Sequence, residues 1–140
     1  MPHRTGIIAR RIFLFMAAAF FVFAGISHFR NPAFFVSIMP PYLPAHLEIV
    51  YVSGVFEILG GLGILISPTR RAAGLGLIAL LVAVFPANIH MAMNPEAFIA
   101  DGTPLWALYV RLPLQFLLMA WVYWVTRRQP MFASSSEDPE

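Results

Sequence analysis

The chain has 140 residues, of which 59% are hydrophobic and only 11% charged, against roughly 45–50% and 25% in soluble domains. That balance excludes an ordinary soluble domain, and at about 20 apolar residues per crossing the length accommodates four helical membrane spans with short connections. The absence of cysteine excludes disulfides, thiolate zinc sites, iron–sulfur clusters held by this chain and thiol relays, and nine arginines with seven acids are too dispersed for a nucleic-acid footprint.

The first apolar run follows Arg10-Arg11 and gives a span at about 12–28, ended by Asn31-Pro32. The second, at about 47–66, is interrupted by Glu48, Ser53 and Glu57 and stops at Ser67-Pro68-Thr69-Arg70-Arg71. The third, at about 72–93, contains Pro86, Asn88 and His90. The fourth, at about 105–126, contains Arg111, Pro113 and Gln115, and Arg127-Arg128 close it. The expectation is an all-α, polytopic membrane protein with four transmembrane helices in an antiparallel bundle, forming a single domain over residues 1–128. Residues 129–140 read as a disordered acidic tail.

Arginine sets the topology. Arg4, Arg10, Arg11, Arg70, Arg71, Arg127 and Arg128 fall on one side of the four spans and Arg30 in a loop on the other, so both termini are expected to be cytoplasmic. With three further spans behind it, the Arg10-Arg11 pair reads as a topology anchor rather than an export signal. Trp106 and Tyr109 near one end of the fourth span, and Trp121, Tyr123 and Trp124 near the other, suit the two membrane interfaces. Between the first two spans, Met39-Pro40-Pro41-Tyr42-Leu43-Pro44 cannot form a helix interior. The apolar Phe34, Phe35, Val36 and Ile38 before it suggest a stiff cap dipping over the bundle.

Glu57 lies about 15 Å along the second span, near the bilayer midplane, where an ionisable group is costly and must be shielded. Its helical neighbours Ser53, Gly54, Gly60 and Gly61 are all small, which points it into the bundle. Arg111 lies about 10 Å inside the fourth span with Gln115 one turn on, and its depth predicts an ion pair with Glu57. Pro86 and Pro113 free the carbonyls of Val82 and Tyr109 beside these polar residues. His28 and His90 close the first and third spans at similar depth, which makes a bis-histidine haem site conceivable. Asn88 and His90, two positions apart, point roughly 200° apart on a regular helix, so His28 is the better cavity residue. Gly60-Gly61-Leu62-Gly63 lacks phosphate-loop spacing, and Ala72, Gly76, Ala79, Ala83 and Ala87 form a stripe expected to pack against another helix.

Gly25-Ile26-Ser27-His28-Phe29, the proline-rich loop, Gly54-Val55-Phe56-Glu57-Ile58-Leu59-Gly60-Gly61 and Arg70-Arg71 together resemble the DoxX family of small bacterial four-helix membrane proteins. Asn88 with Arg111-Leu112-Pro113-Leu114-Gln115 is similar to a DoxX-like subgroup. The resemblance runs from Arg10 to Arg128 and implies a multi-pass bundle in the bacterial cytoplasmic membrane. Some relatives are linked to thiosulfate oxidation feeding quinone and others to oxidative-stress complexes. The resulting expectation is a non-catalytic or accessory subunit of a redox system rather than a stand-alone enzyme. Its cavity would be formed by His28, Glu57, Asn88, Arg111 and Gln115, with quinone, or alternatively haem, as ligand and no metal site. A partner oxidoreductase and a homo-oligomer are the expected associations. A small-solute or proton transporter, and a scaffold recruiting a partner enzyme, are the competing readings.

Overall fold

Six helices make up most of residues 2–127, the part of the chain described by a computed structural model: α1 (Pro2–Arg30), α2 (Pro32–Ser37), α3 (His46–Gly63), α4 (Arg70–Met93), α5 (Pro95–Ile99) and α6 (Leu105–Thr126). Four of them are long and apolar enough to cross a membrane, over Arg4–Arg30, His46–Gly63, Arg70–Met93 and Leu105–Thr126. The fold is therefore an all-α polytopic membrane bundle. The tail at 129–140 lies outside the described residues.

The helix ends follow local chemistry. Helix α1 begins well before the apolar run, because the stretch from Arg4 to Arg11 is made mostly of residues that tolerate or favour helix whether or not they are apolar. It stops before Asn31, which sits at φ −137° and ψ 60° because the following proline disfavours the helical region there. Pro32 then opens α2, a position where its missing N–H costs nothing. The expected irregular cap thus starts with a short helix and becomes non-helical only from Ile38, where the prolines take over. Helix α3 ends at Gly63 rather than near Ile66. Side chains at the start of α4 take up the carbonyls left at its end: Thr69 Oγ1 donates to Gly63 at 2.8 Å, and Arg70 donates through Nε to Ile64 at 2.7 Å and through Nη2 to Leu65 at 3.1 Å. Both α4 and α6 continue through their internal prolines.

Close packing of α1 on α3 rests on glycine. A Cβ at Gly25 would lie 2.6 Å from the Gly54 carbonyl oxygen, and one at Gly54 would lie 2.8 Å from Cβ of His28. Lower down the same pair, Gly61 faces Ala18 and Val22. Helix α4 packs through Leu77 and Ala73 onto Gly60 and Gly63 of α3, and through Gly74 onto Thr126 of α6. Of the stripe expected to mediate packing, Ala87 packs against the core under the cap, but the rest is on the other face. Ala72, Gly76, Ala79 and Ala83 are exposed, nothing lies within 4 Å of a Cβ built on Gly76, and Gly76, Ala79 and Ala83 border an open apolar groove beside α3. The two faces carry similar small residues, so composition could not tell which one meets a neighbour.

Two apolar cores result. One joins Leu14, Ala17, Ala18, Phe21, Ile64, Leu77, Leu81, Val122 and Val125. The other, formed by Ile38, Met91, Phe98 and Leu108, lies under the cap. In α4 and α6 the polar residues Asn88, Arg111 and Gln115 fall between the positions that feed these two cores.

Candidate functional site

The close approach of α1 to α3 decides what happens to Glu57. With glycine at both Gly25 and Gly54, the next turn of α1 brings His28 against α3, and His28 Nε2 lies 3.0 Å from Glu57 Oε2. This is the one salt bridge among the described residues. The contact is close enough for charge pairing, yet Oε2 has no aligned hydrogen-bond donor. On the other side of the ring, Nδ1 sits 2.9 Å from the Val50 carbonyl. A carbonyl can only accept, so Nδ1 carries a hydrogen and Nε2 is the nitrogen left to exchange a proton. Nε2 of His28 therefore faces the Glu57 carboxyl group at a distance over which a proton can pass between them.

The expected Arg111–Glu57 pair does not form. Helices α3 and α6 sit diagonally in the bundle and do not approach each other, so His28 on the adjacent helix takes the carboxylate. Similar depth along two helices says nothing about which helices are neighbours. Arg111 instead places Nη1 3.7 Å from the Met91 sulfur, a weak acceptor, and its guanidinium carbon lies 5.8 Å from the centre of the Phe34 ring. Cation–π attraction of this kind holds a guanidinium without neutralising it.

Gln115 is fully buried and doubly engaged. Its Oε1 accepts from Asn88 Nδ2 at 2.6 Å, and its Nε2 donates to the Leu81 carbonyl. That acceptor is one residue from the carbonyl of Val82, the one expected to be freed by Pro86. The arrangement ties α4 to α6 across the bundle and uses Gln115 in packing.

A cavity of about 230 Å³ brings His28, Glu57, Asn88 and Arg111 onto one surface. Gln115 is not on its wall, and reaches it only through Asn88. His90 is not on the wall either: its Nδ1 lies 3.2 Å from Asn94 Nδ2. Among the described residues no group of three or more histidines and acids is gathered where a metal ion could be held. The volume is below the roughly 300–1,000 Å³ of drug-sized sites, which suits one ring-sized head group.

The cap completes this cavity in a way the sequence concealed. Phe35 packs on the His28 imidazole with centroids 4.0 Å apart and planes 32° from parallel, while Phe34 covers Arg111. Ile38, Met39 and Leu43 close the roof, and Ser53, one turn before Glu57, adds a hydroxyl to the wall. The adjacent phenylalanines after Pro32 were the only signal, and apolarity alone did not say that each would cover a different polar residue.

Residues 16–126 match the family model described as "Domain of unknown function (DUF8561)", and the chain belongs to that family. No curated protein and no solved structure matches it.

Proposed function

We infer that this member of the DUF8561 family is a DoxX-like antiparallel four-helix protein of the bacterial cytoplasmic membrane. Both termini would be cytoplasmic, and the His28–Arg111 cavity would bind the head group of a quinone or a similar ring carrying acceptor oxygens. The observation that carries this reading is Arg111. It faces a small, mostly apolar cavity with a thioether and an aromatic ring as its contacts, so its remaining N–H groups are available to an oxygen acceptor. Opposite it, the His28–Glu57 pair can give or take a single proton, as reduction and oxidation of a quinone oxygen require.

Quinone is favoured over haem because Glu57 occupies the approach to Nε2 of His28 and Phe35 lies over its ring, which leaves little room for iron on that side. In this reading the protein serves as an accessory to a membrane oxidoreductase, handling its quinone or holding it in place. A transport reading uses the same His28–Glu57 pair as a proton relay and needs a second copy to build a path.

The direct test is extraction and mass spectrometry of small molecules from gently purified protein, followed by titration with a short-tailed quinone. One quinone per chain is expected, with affinity falling about tenfold or more in Arg111→Leu, the loss of a charge-assisted hydrogen bond. Unchanged affinity in Arg111→Leu and Glu57→Gln proteins that retain wild-type helicity would refute the assignment.

A further inference from the structure

The end of the bundle farthest from this cavity has a cleft of its own. It has a volume of about 260 Å³ and is lined by Arg10 and Arg11 of α1, Arg70 of α4 and the apolar Ile7, Leu14 and Val125. Three guanidinium groups from two helices share one small space, and the α6 end bearing Arg127 adjoins them. Among the described residues every acid is elsewhere: Glu48 and Glu57 lie in the first two-thirds of α3, and Glu96 and Asp101 lie in or just after α5. Like charges brought together repel one another, and an anion that joins them relieves that repulsion.

Arginine placed only to orient the chain in a membrane has no reason to be fixed, yet two of these side chains are held. Arg10 Nη2 donates to the Arg127 carbonyl. Arg70 donates through Nε to Ile64 at 2.7 Å and through Nη2 to Leu65 at 3.1 Å. Backbone oxygens therefore aim both forks, and among the described residues their other N–H groups have no partner and no bond fixes the exposed Arg11 at the cleft mouth. A planar fork with spare parallel donors matches the oxygens of a phosphate. The apolar rim, at the level where α1 enters its apolar stretch, is where a phospholipid passes from headgroup to acyl chain.

We propose that the Arg10–Arg11–Arg70 cleft is a binding site for the phosphate of an anionic phospholipid, with the acyl chains lying along the apolar surface of α1 and α6. The site holds one lipid in a fixed place, which distinguishes it from the diffuse attraction of basic residues to a negatively charged leaflet. It is independent of whatever occupies the cavity at the other end.

The test is native mass spectrometry of the full chain in mild detergent, titrated with phosphatidylglycerol and, separately, with zwitterionic phosphatidylcholine. One phosphatidylglycerol per chain is expected to be retained in preference to phosphatidylcholine. Arg11→Gln, at an exposed position with no hydrogen bond to lose among the described residues, is expected to weaken retention about fivefold, the effect of one arginine near a lipid charge. Arg4→Gln, at the same end of α1 but off the cleft, is expected to leave it unchanged. Equal retention of the two lipids overturns the proposal, as does equal weakening by Arg4→Gln and Arg11→Gln, which would indicate diffuse charge. Displacement of the lipid by an equal concentration of inorganic phosphate overturns the lipid assignment in favour of a free anion.

Discussion

The half of the bundle around Phe21, Leu77 and Val122 and the half around His28, Glu57 and Gln115 are built from the same four long helices, but they solve the packing problem differently. In the first, the helices are joined by interlocking apolar side chains. In the second, helices α1 and α3 are joined by a histidine–carboxylate contact, and α4 and α6 by an amide pair. Lipid is as apolar as leucine, so apolar side chains gain little by leaving it for the protein interior. Shape fit and a few polar contacts must therefore distinguish one arrangement of helices from another. The apolar half supplies fit and the polar half supplies partner choice. The polar half also contains the cavity, because polar groups already shielded by protein are the ones a ligand can use.

Removing one side of the histidine–carboxylate contact gives the sharpest test of that contrast. His28→Leu leaves Glu57 uncompensated and is expected to cost about 3–5 kcal/mol, whereas the His28→Leu/Glu57→Leu double variant should recover part of the loss. Reversible unfolding in detergent checks this, and a double variant no better than the single one would show that the histidine's packing, not its pairing, matters. Next in size is Gly25→Ala. Its Cβ has to displace the α3 backbone near Gly54, with an expected cost of about 1–3 kcal/mol. A neutral result would mean that the α1–α3 crossing is looser than a 2.6 Å approach allows.

Gln115→Leu should be milder, at about 1–2 kcal/mol. Interhelical hydrogen bonds in membranes are modest in strength, but Asn88 and the Leu81 carbonyl would lose their partner. The same variant should change quinone affinity less than Arg111→Leu does, since Gln115 is not on the cavity wall. The smallest effect belongs to Gly76→Ala, on the exposed stripe of α4. With nothing within 4 Å of the added methyl, the gain in helix propensity of up to about 1 kcal/mol is unopposed, and a slight rise in unfolding temperature is expected. A marked loss instead would reveal a second copy or a partner helix packed into the groove beside it.

Much of the architecture was legible in the sequence. Hydropathy located four spans because each must be apolar over a length set by the bilayer, and the prolines at Pro32 and Pro40-Pro41 limited where helix could persist. The polar residues that line the cavity also stood out, since His28, Glu57, Asn88 and Arg111 are anomalous inside apolar runs. Small neighbours around Glu57 correctly pointed it into the bundle, where Gly54 meets α1 and Gly60 meets α4.

What the sequence by itself determined is how many long apolar helices there are, roughly where they run and which residues are too polar to face lipid, because these depend only on local composition and on backbone groups that must pair within each helix. Which polar residue meets which was decided by the tertiary structure. Glycine at Gly25 and Gly54 brings α1 onto α3 and gives Glu57 to His28, while the diagonal placement of α3 and α6 leaves Arg111 facing the cavity under Phe34. Depth along a helix can be counted from the sequence, but adjacency between helices is a property of how their surfaces fit. That fit made Gln115 a brace between helices and the stripe around Gly76 an outer face.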